Sequence, residues 1–259
     1  MVGFAMIKEL VFAGAASLIA SAINSIAGGG TFLTFPILTG GIGLTDKLAN
    51  MTSTIGLWPG SASAVIAAKS DIKKIPTSIL ISFGVISLIG GVVGAMLLRV
   101  TSETSFKLVI PWLLLFATLI FAYSKPIAKW AGHQHGHKST KWTIIVCIIQ
   151  FFVAIYGGYF GAGIGVLMLA GLSFAGLENL NQVNALKVFL ATLINGVSSI
   201  IFLFSKVDWK IAGVMAISSI IGGFVGMHFA RQVKQPVLRA MILSIGIILT
   251  GFYFWKNYR

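Results

Sequence analysis

Asn24-Ser-Ile-Ala-Gly28-Gly29-Gly30-Thr31-Phe-Leu-Thr-Phe-Pro36 sets three glycines in the middle of a long apolar segment. Glycine is a poor helix former, so a glycine run inside a span-length apolar stretch predicts a broken helix. A second such stretch, Tyr156-Gly-Gly-Tyr-Phe-Gly161-Ala-Gly163-Ile-Gly165-Val, follows roughly 130 residues later, again flanked by apolar runs. Backbone that is not helical is tolerated at membrane depth only when protein buries it or it lines a wet cavity. Two such breaks therefore predict one central cavity between two broken helices.

Working outward, spans are expected at about 8–27, 48–68, 76–98, 106–124, 142–158, 183–205, 211–230 and 238–256, each near the ~20 residues that cross a bilayer. The pieces 31–43 and 164–175 are left over. At ~1.5 Å per residue they reach roughly 18–20 Å, short of the ~30 Å hydrocarbon core, and read as half-helices continuing or re-entering from the glycine breaks. Composition agrees: 57% of residues are apolar and 10% charged, with a mean hydropathy of +0.95. The fold class expected is an all-α polytopic membrane protein, with two halves of about four spans plus one re-entrant half-helix each. The net charge of +13 does not indicate nucleic acid, because the basic residues cluster in short gaps between spans. Cys147 stands alone inside a span and can form no intrachain disulfide. Ala20-Ser21-Ala22 resembles a signal cleavage site, but Glu9 offsets Lys8 and the matching segment near 142–157 is mid-chain, so 8–27 is read as a mature span.

The halves match beyond the glycines. Leu48-Ala-Asn50-Met answers Gln182-Val-Asn184-Ala, and Lys69-Ser-Asp71-Ile-Lys73 answers Val207-Asp208-Trp-Lys210. Ile89-Gly-Gly-Val-Val-Gly94 with Arg99 answers Ile221-Gly-Gly-Phe-Val-Gly226 with Arg231. The preserved order predicts an internal duplication, a frequent plan of secondary transporters, with repeats at 1–124 and 142–259 joined by a His/Lys-rich linker at 125–141. Four crossings per half leave the repeats parallel and five invert them; both counts stay open. On the eight-span count, loops 69–75, 125–141 and 206–210 share a side with both termini, and their excess of Lys and Arg places the termini in the cytoplasm.

All six acidic residues, Glu9, Asp46, Asp71, Glu103, Glu178 and Asp208, fall at span ends or in loops, so a cation at the midplane would lack a counter-charge. The glycine breaks instead offer backbone N–H groups and helix starts near Thr31 and Ile164, which suit an anion. Candidate anion-binding residues are Asn24, Gly28, Gly29, Gly30 and Thr31 at the first break and Gly161, Gly163 and Gly165 at the second. The span at 183–205 adds Asn184, Lys187 and Asn195, with Asn50 and Ser53 in the matching places of the first half. Lys187 has two readings: it supplies the cavity's positive charge, or it snorkels to the interface along a flexible stem. Ser61, Ser63 and Ser198 read as packing residues, as do the Gly90/Gly94 and Gly222/Gly226 pairs, and His228 as a packed or interfacial histidine. Gly161-x-Gly163-x-Gly165 lacks the spacing and βαβ context of a dinucleotide loop. No nucleophile, base and orienting group come together, so no enzymatic site is expected. His133, His135 and His137 could ligate a metal, but a solvated linker offers no fixed geometry and is preferred.

Together, Asn24-x-x-Ala-Gly-Gly-Gly-Thr-Phe-Leu-Thr-Phe-Pro36, Ala49-Asn50-Met-Thr-Ser, Tyr156-Gly-Gly-Tyr-Phe-Gly-Ala-Gly163-Ile-Gly and Val183-Asn184-Ala-Leu-Lys187, with Asp71-Ile-Lys73 and Val207-Asp208-Trp-Lys210, resemble the sulfite exporter TauE/SafE family over nearly the whole chain. The resemblance implies a bacterial or archaeal inner-membrane transporter of sulfite or another sulfur-containing small anion, organosulfonates included, without a bound cofactor. It carries over onto the two glycine motifs, Asn50, Asn184 and Lys187. Alternating access, the two halves moving against each other around a midplane site, is the mechanism expected. The partners expected are the anion and the lipid bilayer, with a homodimer as one assembly to test. A small-anion channel and a metal transporter using the histidine linker are the alternatives.

Overall fold

The computed structural model describes residues 2–132, 140–172, 177, 179–230, 232 and 235–258. His133, His135 and His137 lie outside them. The described residues are helical, without strands: α1 Val2–Ile26, α2 Thr31–Pro36, a π-helical turn at Ile37–Gly41, α3 Asp46–Ala67, α4 Lys69–Ile72, α5 Thr77–Val100, α6 Glu103–Gly132, α7 Thr140–Tyr159, α8 Ile164–Leu172, α9 Leu180–Phe202, α10 Trp209–Phe229 and α11 Gln235–Tyr258. Six of them (α1, α5, α6, α9, α10 and α11) contain segments long and apolar enough to cross a membrane. Helix α3 is 22 residues long but richer in polar residues, and the apolar part of α7 is the shorter segment Ile144–Tyr159.

At two of the helix prolines a neighbouring helix supplies a side chain to the backbone beside the break. Pro59 interrupts the ladder inside α3, and the next N–H, that of Gly60, donates to Ser219 Oγ on α10 at 3.0 Å. Helix α6 runs past its expected end at residue 124. Pro126 has no N–H to offer Ala122 O, and Arg239 of α11 donates from Nη2 to that carbonyl at 2.7 Å and to Phe121 O at 2.9 Å. The same guanidinium stacks over the Phe121 ring, 5.2 Å from its centroid. A side chain from a neighbouring helix here takes the place of the water that a soluble helix would use.

Packing exchanges helices between the sequence halves. Helix α10 lies against α1 and α3, whereas α5 lies against α7 and α9. Small residues permit the close approach. On α5, a side chain at Gly90 would strike Phe151 O and one at Gly94 would strike Ile155 O of α7; on α10, Gly222 and Gly226 meet Leu18 and Ala22 of α1 in the same manner. Gly91 faces Ile194 and Val197 of α9, and Gly223 faces Gly60 and Ser63 of α3. Contacts thus cross between the sequence halves: α10 packs with α1 and α3, α5 with α7 and α9, and α3 meets α9.

Helix α2 folds back along α1, with Gly30 against Ala20 and Gly41 placed so that a Cβ on it would lie 3.7 Å from the Phe12 ring. This reversal decides which loops share a face. The start of α3 meets the loop before α10, where Asp208 N donates to Thr52 Oγ1 at 3.2 Å, and Lys47 Nζ donates to Arg99 O and Thr101 O at the α5–α6 turn. The last turn of α11 joins the same face, Tyr258 OH donating to Leu108 O. At the other end of α3, Ala68 and Ile75 pack with Leu177 and Val183. Loops 69–75 and 206–210 thus stand at opposite ends of α3, contrary to the eight-span grouping. The charge asymmetry invoked for cytoplasmic termini depended on that grouping and falls with it. In a Cys147→Ser background, Lys73→Cys and Lys206→Cys should react with a membrane-impermeant maleimide from opposite sides; labelling of both from one side would reject this arrangement.

Candidate functional site

The last turn of α1 closes with Ala27 N and Gly28 N both donating to Ile23 O, at 2.9 and 3.1 Å. Gly28 then takes φ +75°, a left-handed conformation that ends a helix at little cost only for glycine. Asn24 Oδ1 accepts from Gly29 N at 3.1 Å and Gly30 N at 2.7 Å, so the side chain itself covers the donors that the break frees. The second break repeats the geometry: Phe160 N and Gly161 N donate to Tyr156 O, and Gly161 and Gly163 have φ +75°. Here Gly157 stands where Asn24 would be, and Ala162, Gly163 and Gly165 N–H groups have no hydrogen-bond partner among the described residues. Tyr156 OH donates to Ala162 O at 2.6 Å.

The two breaks touch. A Cβ on Gly28 would collide with the Gly165 backbone, and one on Gly165 would collide with Gly28. The C-terminal end of α1 therefore abuts the N-terminal end of α8. Lys187 of α9 reaches this junction: only 1% of it is exposed, and Nζ donates to Asn24 O at 2.9 Å and Ser25 O at 3.2 Å. The snorkelling alternative does not hold for a side chain so enclosed. Carbonyls at a helix C-terminus suit an ammonium. Among the described residues no carboxylate lies within ion-pair distance of it, and the ion pair found there is Lys74–Asp71, in α4 and the turn after it. Asn184, one turn before Lys187, donates from Nδ2 to Ser25 O at 3.3 Å, leaving Oδ1 without a partner.

In front of the junction lies a narrow cleft of about 30 Å³. Asn24, Gly28, Thr31, Gly161, Gly165 and Asn195 all line it. The remaining candidates sit behind or beside its walls. Gly29 and Gly30 are packed on Ile242 and Ala20, and Gly163 on Phe32. Asn50 is buried with Nδ2 donating to Tyr159 O at 3.1 Å, and Ser53 Oγ lies 2.8 Å from Thr34 Oγ1. Lys187 and Asn184 act on the α1 end from behind. Sequence reading passed over Ser25, Thr54 and Phe160 and took Ser61 for packing, yet all four line the cleft. Thr54, Leu57, Ser61 and Ala64 recur at three- and four-residue steps, the one signal that they share a helix face.

Helices of membrane-spanning length around a polar cleft at two broken helices define a multi-pass membrane transporter. The model of the sulfite exporter TauE/SafE family matches residues 13–253, and the chain belongs to that family. Curated relatives are named probable membrane transporter proteins. One of them, ORF9 of Sinorhizobium sp, is 24% identical over 245 residues, covering 93% of this chain and 90% of the relative. A Haemophilus influenzae protein is 25% identical over 239 residues, covering 90% and 89%, and YfcA of Escherichia coli is 25% identical over 243 residues, covering 91% and 86%. No solved structure matches.

Gly28→Ala imposes both a left-handed alanine and a backbone collision with Gly165, and should cost at least about 3 kcal/mol. Thermal unfolding in detergent checks it, with Gly40→Ala, where nothing lies within 4 Å, expected to leave stability almost unchanged.

Proposed function

We propose that this protein carries sulfite or a related sulfur-containing oxyanion or organosulfonate outward across the bacterial inner membrane, by alternating access around the cleft between the broken helices. The observation that carries the reading is Lys187: a buried ammonium with no carboxylate partner among the described residues, held on the Asn24 and Ser25 carbonyls behind the cleft. An uncompensated buried charge is costly, and an anion in the cleft supplies the missing counter-charge. Neutral donors on the cleft wall, the Asn24 and Asn195 amides and the Thr31 hydroxyl, orient the oxyanion. The family name and the three relatives named as transporters support the class of activity.

For the movement, the exchanged units serve better than the sequence halves. Units α1/α3/α10 and α5/α7/α9 rock about the α3–α9 contact, with α2 and α8 carried along and the duplication supplying two related half-gates. The paired glycine contacts of α5 on α7 and α10 on α1 support that internal two-fold relation. A negative cytoplasmic potential drives a singly charged anion out with ~2.3 kcal/mol per 100 mV, enough for uniport.

Detergent-purified protein should be stabilised by sulfite, in its singly charged form, by about 2.7 kcal/mol at a hundredfold excess over the dissociation constant, and not by nickel. Lys187→Met, close in volume and uncharged, should weaken that binding by at least about tenfold, roughly 1.4 kcal/mol. Asn24→Asp keeps an acceptor for Gly29 and Gly30, so it should fold, but it sets a negative charge on the cleft wall and should abolish binding. Stabilisation by nickel alone, or an Asn24→Asp protein that binds sulfite as the parent does, would reject the reading.

A further inference from the structure

We infer that the cleft selects by charge: it takes a tetrahedral anion carrying one negative charge and excludes one of the same size carrying two. This rests on the reading above that the cleft is the anion site. Fixed charge around the junction amounts to one positive unit. The residues lining the cleft include no Lys, Arg, His, Asp or Glu. Among the described residues Lys187 is the one ionic side chain at the junction, and its first-half counterpart, Ser53, is neutral and paired with Thr34. The helix ends add little, because the C-terminal end of the 25-residue α1 and the N-terminal end of the nine-residue α8 meet at Gly28 and Gly165, and partial charges of opposite sign in contact offset each other.

The donors available to the anion are neutral as well. Lys187 spends two of its three N–H bonds on Asn24 O and Ser25 O. With Asn24 Oδ1 committed to Gly29 and Gly30, what Asn24 has left for the cleft is its Nδ2 amide group, and Thr31 and Asn195 add a hydroxyl and an amide. Such dipoles solvate one charge beside an ammonium. A second negative charge would enter a site mostly walled by protein with no cation to meet it, and burial of an unpaired charge is what a low-dielectric interior opposes most strongly. Apolar wall formed by Leu57, Phe160, Ile164 and Val188 accepts a methyl group in place of an oxygen.

Methanesulfonate and sulfate are both tetrahedral, close in size, and differ by one charge. Titration calorimetry of the purified full chain at neutral pH should give methanesulfonate at least about tenfold higher affinity than sulfate. Sulfite provides a second readout, since it passes from singly to doubly charged as pH rises. Its apparent affinity should then fall by about tenfold per pH unit above that ionisation, as only the singly charged fraction competes. Methanesulfonate keeps its charge over the same range and should not follow that slope, which separates titration of the ligand from titration of the protein. Sulfate binding as tightly as methanesulfonate, or parallel pH slopes for sulfite and methanesulfonate, would overturn charge selection while leaving the anion site standing. Binding of none of the three would overturn both.

Discussion

Two backbones in contact, Gly28 on Gly165, govern this molecule. Because neither residue has a side chain, the end of one broken helix meets the start of another with nothing between them. That contact brings the carbonyls of Asn24 and Ser25 to where Lys187 can reach them from α9, and the reach determines the electrostatics of the cleft. Had either glycine been any other residue, α1 and α8 would stand apart by at least a side chain's width, and the lysine would be an unpartnered charge in hydrocarbon. Geometry comes first here and charge follows from it.

The second constraint is exchange. Each half contributes the α-helix that completes the other's packed unit, α10 for the first and α5 for the second, through glycine faces too tight for any other residue. This leaves α6 and α11 as a pair at the periphery, clasped by Arg239 on the carbonyls beside Pro126 and by Tyr258 and Asn257 on Leu108 and Lys107. The cleft is walled by α3, α9 and the two breaks, so it lies at the seam between exchanged units rather than inside either.

Much of this was legible from residue order. Apolar runs of span length announced each long helix, with boundaries within about three residues except at the start of α1 and the end of α6, because membrane helices are bounded by the bilayer itself. Glycine runs announced the breaks, since a helix cannot absorb consecutive residues of such low propensity. Of the candidate site residues, Asn24, Thr31 and Asn195 line the cleft, whereas Asn50 and Ser53, which look equivalent in the repeat, turn to Tyr159 and Thr34. The difference is rotation about the helix axis by a fraction of a turn, which spacing along one chain cannot determine without knowing what packs on the opposite face. Loop sidedness failed for a related reason: the direction of a short helix after a glycine turn is settled by tertiary contacts such as Gly41 on Phe12, not by local composition. Ser25 and Phe160 carried no pattern that set them apart.

The exchanged packing also bears on how the chain is made. During synthesis α5 leaves the ribosome with its Gly90–Gly94 face bare, and its partner α7 is encoded beyond the 125–141 linker. Helix α1 waits longer still, for α10 near the end of the message. Each half therefore rests in the lipid with an unmatched small-residue groove until the other arrives, and the insertion machinery or the lipids themselves must keep those grooves apart from wrong neighbours.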